Sequence, residues 1–236
     1  MKTIINKFGF EIEGEFTNQV RNKLMKSGFL HYDGSVYACK LNNAFHLKND
    51  KIYFVNEFSS YPFDYKSHPR KSLIAAKTIF NLLEDNNYHW NSSAGFHIHI
   101  SFEPKYPAEI LSVEFAQFFS DELTKKIGAL KMRRNNNYCR DIINLEEIAQ
   151  IKREKYRFIN FGAALSEHGT IEFRIFPSAK PAKMYKFLLF TIKTINKFLK
   201  NDLEIPFESE IDMSENNKIK NELLINLKKQ NYETIN

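Results

Sequence analysis

The sequence predicts an α+β fold with a mainly antiparallel sheet, helices packed on one face of the sheet and ionisable side chains on the other. Predicted strands occur early and late in the chain, and the helices between them show no regular β-α-β alternation. Three of the predicted strands alternate apolar and polar residues, as half-buried strands do. With 236 residues, the chain is long enough to bury about 70% of the surface that it exposes when unfolded.

Composition excludes several classes of protein. Hydrophobic residues make up 43% of the chain and aromatic residues 14%, which excludes wholesale disorder. Only 8 residues are glycine, which argues against a glycine-rich phosphate loop. The two cysteines, Cys39 and Cys139, are too far apart for a disulfide framework or a thiolate zinc site, and we interpret Cys139 as a buried thiol. The net charge of +6 is a modest bias towards anionic partners.

Neither a signal peptide nor an apolar run long enough for a membrane span is recognisable. We therefore expect a cytoplasmic protein without a membrane partner. Residues 1–200 are predicted to form one domain, and residues 201–236 a polar, partly helical tail.

The order of predicted elements begins with a strand over residues 8–16, where Phe10 and Ile12 point one way and the glutamates point the other. Further strands are predicted at residues 35–40, 51–59 and 95–102. Hydrophobic spacing predicts helices at residues 67–84, 107–123 and 181–200. Residues 156–165 and 170–176 are predicted to form a hairpin.

Three of these strands carry ionisable side chains on the face opposite their apolar residues. If the strands share one sheet, three carboxylates, two imidazoles and a guanidinium gather on one face. Such a cluster needs a cation to offset the repulsion between its carboxylates, and its donor atoms suit Mg²⁺ or Mn²⁺. Each pattern alone is also typical of an ordinary solvated strand face, and the combination favours the metal site. The residues are Glu11, Glu13, His97, His99, Glu172 and Arg174.

The chain resembles the amidoligase family of the carboxylate–amine ligase superfamily, whose distant relatives are glutamine synthetase and glutamate–cysteine ligase. The most specific elements are Gly-Phe-His-Ile-His at residues 95–99 and Thr-Ile-Glu-Phe-Arg at residues 170–174. The resemblance covers residues 5–200 and implies a glutamine synthetase-like catalytic fold. The other segments that carry it are residues 8–14, 33–35, 57–62, 134–140 and 156–160.

The resemblance implies an ATP-dependent ligase that phosphorylates a carboxylate and then transfers the acyl group to an amine. Its substrates would be a carboxylate and an amine, either of which can belong to a peptide or protein. It implies Glu11, Glu13, His97 and Glu172 as ligands of Mg²⁺ or Mn²⁺, with Glu57 as a further ligand or catalytic residue. His99 would contact the nucleotide, and Arg174 would bind the nucleotide and stabilise the transferring phosphoryl group.

Weaker candidates follow from the same resemblance. Arg140 and Arg157 would grip the nucleotide phosphates, whereas Arg134 and Asn160 would contact the substrate. A solvated basic surface explains the arginines equally well.

Two other classes of function stay open. The His97-x-His99-x-x-x-Glu103 spacing matches that of cupin metal ligands, but the flanking glycines of that pattern are missing. The basic stretches at residues 125–140 and 180–200 would suit a nucleic-acid-binding module, although no nucleic-acid-binding motif is present.

Overall fold

The computed structural model describes residues 2–17, 22, 30–32, 45–48, 51–85, 88–90, 94–105, 107–127, 139, 157–162 and 169–201. Within these ranges the chain forms three helices: α1 (Pro69–Asp85), α2 (Val113–Ile127) and α3 (Pro181–Phe198). It also forms eight strands: β1 (Ile4–Thr17), β2 (Leu30–Tyr32), β3 (Phe45–Lys48), β4 (Lys51–Ser60), β5 (Phe63–Asp64), β6 (Gly95–Glu103), β7 (Ile159–Asn160) and β8 (Ile171–Pro177).

The eight strands belong to one open sheet. Its strand order is β2-β4-β1-β6-β8-β7, with β3 paired to β4 and β5 paired to β1. All the pairings in the described part are antiparallel. The predicted mixture of helices with a mainly antiparallel sheet is therefore confirmed. The predicted hairpin is also present, since β7 pairs with β8.

Phenylalanine rings join the helices to one face of the sheet. Aromatic side chains bury large areas, and they pack best with offset or edge-to-face rings. The contacts, measured between ring centroids, are 5.0 Å from Phe10 of β1 to Phe80 of α1, 4.8 Å from Phe173 of β8 to Phe119 of α2, and 4.7 Å from Phe176 of β8 to Phe187 of α3. The helices thus cover this face and leave the other face of the strands to polar side chains.

Helix α2 begins six residues later than the sequence predicts, at Val113 rather than residue 107. Ser112 caps it, because its Oγ accepts a hydrogen bond from the amide of Phe115 at 3.1 Å. Ile110 is fully buried in the turn that precedes the helix. Ile110 continues the helical spacing of apolar residues in the sequence, but it lies outside the helix.

Three irregularities shape the sheet around its central strands. Between β1 and β6, Ile5 pairs with Phe102 and Lys7 with Ser101, so β1 contains one extra residue. Phe96 pairs with Phe176 and Ile98 with Phe173, so β8 contains one extra residue. On the other side, Glu11 of β1 pairs with Ser59, whereas Lys7 pairs with Asp64 of β5. The chain between β4 and β5 therefore contains one more residue than the stretch of β1 that it faces. Bulges of this kind bend strands and redirect side chains.

Cys139 is fully buried, as predicted. The strand predicted at residues 35–40 and the tail from residue 202 onwards lie outside the described residues. The structure describes Asn201, the first residue of the predicted tail, and its Nδ2 donates a hydrogen bond to the Thr3 carbonyl at 3.0 Å. None of the helices that the structure describes has the length and apolarity needed to cross a membrane.

Candidate active site

The polar face of the sheet carries a cluster of acids, imidazoles and amides drawn from five adjacent strands. The cluster forms because residues on the same face of neighbouring strands become register partners. The partners are Glu57 with Glu13, Glu11 with His97, His99 with Glu172, and Glu172 with Asn160. The sheet therefore brings together Glu11, Glu13, Glu57, His97, His99, Asn160, Glu172 and Arg174, all of which the sequence singles out.

His97 lies at the centre of the cluster, with its side chain 2% exposed. Its Nδ1 is 3.0 Å from Glu11 Oε2, 3.5 Å from Glu172 Oε1 and 3.9 Å from Glu57 Oε1. Its Nε2 is 3.7 Å from Glu13 Oε1. One buried imidazole is therefore close to four carboxylates.

His99 contacts the other oxygen of Glu11. Its Nε2 lies 3.1 Å from Glu11 Oε1, but the two groups are not aligned as a hydrogen bond. This buried nitrogen has no hydrogen-bond partner among the described residues. Its Nδ1 lies 3.4 Å from Thr170 Oγ1. The nearest charged group to Nε2 is therefore the Glu11 carboxylate, which it meets as an ion pair when His99 is protonated.

The two histidines determine the charge of Glu11. Burial raises the pKa of Glu11, but its contacts with His97 and His99 outweigh burial and hold this pKa well below its usual value. Burial lowers the pKa of His99, but contact with Glu11 and the charges of Glu11 and Glu172 outweigh it and raise this pKa. Glu11 is therefore ionised, and a cation that binds here must compete with the proton of His99.

Both oxygens of Glu172 have partners. Oε1 accepts a hydrogen bond from Arg174 Nη1, and Oε2 accepts one from the buried Asn160 Nδ2 at 2.7 Å. Burial raises the pKa of Glu172, but the charges of His97, His99 and Arg174 outweigh burial and lower it. Asn160 and Arg174 thereby fix the orientation of an ionised carboxylate.

Glu13 is held at the end of the cluster by a different set of contacts. Its Oε2 accepts a hydrogen bond from the Gly95 amide at 2.5 Å. Its backbone carbonyl accepts hydrogen bonds from Tyr88 OH at 2.7 Å and from Ser178 Oγ at 2.6 Å. The sequence patterns single out neither Tyr88 nor Ser178, and they include Gly95 only as part of the family motif at residues 95–99. They become neighbours of Glu13 only through the fold.

Two groups of side chains have the composition and spacing of a metal site. Their possible ligand atoms lie within 4.8 Å of one another, and both groups include Glu11. Carboxylate oxygens with one imidazole nitrogen suit Mg²⁺ or Mn²⁺, and His99 Nε2, 3.1 Å from Glu11 Oε1, supplies such a nitrogen when His99 is deprotonated. The residues therefore fit a divalent cation. The groups are Glu11, Glu57 and His97, and Glu11, His99 and Glu172.

These two groups, called the donor groups from here on, differ in part from the metal ligands that the family resemblance implies. Glu57 and His99 belong to the groups, whereas Glu13 lies beside them with one oxygen bound to an amide. Arg157 is half-buried and precedes Asn160 by three residues in the chain. The positions of Arg134 and Arg140 lie outside the described residues.

Glu103, the acid of the cupin-like spacing, is in neither donor group. Its Oε2 accepts a hydrogen bond from Lys66 Nζ at 2.6 Å. The described residues therefore group His97 and His99 with Glu11, Glu57 and Glu172 and not with Glu103.

A comparison with protein-family models matches residues 30–155 to the family described as "Putative amidoligase enzyme". The match covers more than half of the chain, so the protein belongs to the amidoligase family, and the family resemblance of the sequence is confirmed. The comparisons with curated proteins and with solved structures returned no match. Of the cluster, only Glu57, His97 and His99 fall inside the matched residues.

Proposed function

We propose that the protein is an ATP-dependent carboxylate–amine ligase that works through an acyl phosphate with Mg²⁺ or Mn²⁺. The observation that carries the proposal is the pair of donor groups that share Glu11, next to the guanidinium of Arg174. Membership of the amidoligase family supports the ligase class.

The proposed reaction has two steps. First, a carboxylate oxygen of the acid substrate attacks the γ-phosphorus of ATP, the bond to the β,γ-bridging oxygen breaks, and ADP leaves. Second, the amine nitrogen attacks the acyl carbon, the bond from this carbon to the phosphate oxygen breaks, and phosphate leaves. The amine gives up one proton as the amide forms.

The residues of the two donor groups would hold the divalent cations. When bound, the cations would neutralise charge on the phosphates of the nucleotide. Asn160 and Arg174 keep Glu172 ionised and oriented for this task, because they satisfy both of its oxygens. The cation ligands are Glu11, Glu57, His97, His99 and Glu172.

Arg174 carries the positive charge closest to Glu172 and is partly accessible, with its side chain 14% exposed. A guanidinium presents several donors in one plane, which suits the equatorial oxygens of a phosphoryl group in transfer. We assign Arg174 to stabilise that group. Because transfer spreads charge over these oxygens, donors that are already fixed in place lower its barrier.

Glu13 is the carboxylate of the cluster that lies outside both donor groups. Its Oε2 is bound to the Gly95 amide, and its Oε1 is 3.7 Å from His97 Nε2. A fixed carboxylate near the reacting centre can accept the proton that the amine releases. We assign this role to Glu13.

The test is ADP release by purified protein with Mn²⁺ and ATP, across a panel of acids and amines that includes peptides. Release that needs both an acid and an amine is expected. Hydroxylamine in place of the amine should yield a hydroxamate, because it traps an acyl phosphate. No ADP release with any pair, although Mn²⁺ and ATP bind, would overturn the ligase proposal.

Matched variants connect the activity to the cluster. Glu11→Gln and Glu172→Gln should each abolish ADP release, because each removes a charge that the donor groups require. Glu103→Gln is the control, since Glu103 is an acid of the same strand as His99 but pairs with Lys66. Full activity in Glu11→Gln or Glu172→Gln would remove that residue from the proposed metal role.

A further inference from the structure

Helix α3 ends in a turn that brings two asparagines together. The amide of Lys200 donates to the Lys197 carbonyl at 3.2 Å, and the amide of Asn201 donates to the Asn196 carbonyl at 2.9 Å. Lys200 has a left-handed backbone, with a φ of 52°. These two hydrogen bonds and the left-handed residue define a Schellman motif, which brings the side chains of positions 196 and 201 next to each other.

The two asparagines stand where a Schellman motif usually has an apolar contact. Asn196 is 3% exposed, and both its Oδ1 and its Nδ2 are buried without a hydrogen-bond partner in the part of the chain that the structure describes. Asn201 Oδ1 is buried and unpartnered in the same sense, while Asn201 Nδ2 donates to the Thr3 carbonyl at 3.0 Å. Because buried polar atoms are nearly always hydrogen-bonded, these three atoms point to a further partner.

Tyr65 adds a hydroxyl to the same place. Its side chain is buried, and burial raises the pKa of Tyr65 to about 12, whereas contact with the Asn196 side chain opposes this rise. The Tyr65 hydroxyl therefore lies beside the Asn196 amide. One hydroxyl cannot satisfy this amide, because the amide has two N–H donors and an oxygen with two lone pairs.

The unpartnered atoms select a small neutral ligand that both donates and accepts hydrogen bonds. The Asn196 Nδ2 donor would repel a cation, and the oxygens of Asn196 and Asn201 would repel an anion. Water has both capacities. Buried water molecules typically make about three hydrogen bonds to polar groups that are otherwise unsatisfied. Two amides and a hydroxyl supply that number of partners.

We propose that Asn196, Asn201 and Tyr65 bind an internal water molecule at the carboxyl end of α3. The water accepts a hydrogen bond from Asn196 Nδ2 and donates one to Asn201 Oδ1, and the Tyr65 hydroxyl completes its set of partners. Asn201 also binds the Thr3 carbonyl, so the water joins the end of α3 to the chain before β1 and to the residue after β5. The inference concerns the assembly of the fold and does not depend on the proposed function.

The first test is a crystal structure of the unchanged protein at a resolution that shows ordered water. We expect a water molecule within hydrogen-bond distance of the Asn196 and Asn201 side-chain amides. A direct hydrogen bond between the two amides, with no water in contact with either of them, would overturn the proposal.

Magnetic relaxation dispersion of the water signal counts long-lived internal water molecules in solution. Asn196→Leu replaces the amide with an apolar side chain of similar size and should lose about one such water per molecule. Lys200→Gly is the matched control, because it keeps the three polar atoms and supplies a residue that adopts a left-handed backbone without strain. Its count should equal that of the unchanged protein.

Two results of this measurement would contradict the water site. An equal count in Asn196→Leu and the unchanged protein would show that Asn196 holds no water. An equal loss in Asn196→Leu and Lys200→Gly would show that the water depends on the lysine and not on the amides. Unfolding by denaturant shows whether each variant folds, and if Asn196→Leu does not, the crystal structure of the unchanged protein decides alone.

Discussion

Glu11 and His97 face each other across the β1–β6 ladder, and Glu11 Oε2 lies 3.0 Å from His97 Nδ1. The second oxygen of Glu11 lies 3.1 Å from His99 Nε2. One carboxylate thus joins two histidines that occupy alternate positions of the same strand. Glu11 is also the residue that the two donor groups share.

Substitution Glu11→Gln should weaken both donor groups at once. An amide oxygen carries no charge to attract a cation, and removal of even an indirect partner of a metal ligand costs roughly 10- to 100-fold in affinity. We expect a loss of Mn²⁺ affinity of at least about 100-fold, measured by electron paramagnetic resonance of free Mn²⁺. Glu57 belongs only to the donor group that contains His97. In Glu57→Gln we therefore expect one of the two Mn²⁺ ions to bind more weakly and the other to bind as in the unchanged protein.

The stability of the metal-free protein should depend on pH in both directions. Glu11 and Glu172 have pKa values below the ordinary 4.5, so their stabilisation is complete above about pH 4.5 and disappears as the pH falls through the lowered values. His99 has a pKa above the ordinary 6.5, so its stabilisation is complete below about pH 6.5 and disappears as the pH rises through the raised value. Thermal unfolding in a chelator should therefore show a maximum between these limits.

Mn²⁺ should shift this maximum to higher pH. A metal ligand must be deprotonated, and His99 holds its proton more tightly than an ordinary histidine. The rise in unfolding temperature on addition of Mn²⁺ should be larger at about pH 8 than at about pH 5.5. An equal rise at both values would mean that His99 does not bind the cation.

Substitution Asn160→Ala should weaken metal binding more than Asn160→Asp. Asn160 Nδ2 donates to Glu172 Oε2 at 2.7 Å in a buried environment. Alanine removes the donor that orients Glu172, whereas aspartate puts a second carboxylate beside Glu172, and a bound cation offsets the repulsion between the two. We expect about a 10- to 100-fold loss of Mn²⁺ affinity in Asn160→Ala and a smaller loss in Asn160→Asp.

Titration calorimetry with Mn²⁺ checks this order, and Gln117→Ala on the exposed surface of α2 is the control. The same measurement distinguishes a positioning role from direct substrate contact. If Asn160→Ala binds Mn²⁺ normally and loses only affinity for the acid substrate, Asn160 contacts the substrate and does not orient Glu172.

Gly14→Ala should destabilise the fold, whereas Gly9→Ala should not. A Cβ on Gly14 would overlap the Tyr88 ring, whose hydroxyl donates to the Glu13 carbonyl at 2.7 Å. The ring must move, so the change combines overpacking with strain on that hydrogen bond. Unfolding by denaturant should show a loss of about 1–3 kcal/mol. A Cβ on Gly9 would instead make ordinary contacts with Ser60, at 3.4 Å from its Oγ and 3.9 Å from its carbonyl oxygen. Equal stability of the two variants would contradict the packing that the structure shows around Gly14.

Much of the cluster could be predicted from the sequence because a strand has a period of two. The alternation assigns Glu11, Glu13, His97 and His99 to polar faces without any knowledge of strand order. Glu57 shows the limit of this reasoning. Its strand has no comparable alternation of charged and apolar residues, so the alternation does not assign it. The family resemblance indicates Glu57, and the Glu13–Glu57 register shows that it faces the same site.

Features that depend on tertiary contacts could not be predicted in this way. The extra residue of β8 changes its alternation, and both Ile175 and Phe176 are buried as a result. The predicted start of α2 was wrong because buried Ile110 follows the helical spacing but lies in the turn before the helix. Hydrophobic spacing reports burial, and it separates a helix from a packed turn only when the cap, here Ser112, is taken into account.

The five strands that supply the cluster span the chain from Glu11 to Arg174, and Glu11 meets His97 across a separation of 86 residues. Contacts between residues so far apart in the sequence form slowly, because the chain must pay the entropic cost of closing the loop between them before the contacts stabilise it. The cation site therefore does not exist until the sheet is nearly complete. A bound cation should act mainly on the rate of unfolding and leave the rate of folding almost unchanged. Metal occupancy would then set the lifetime of the native state rather than the speed at which it is reached.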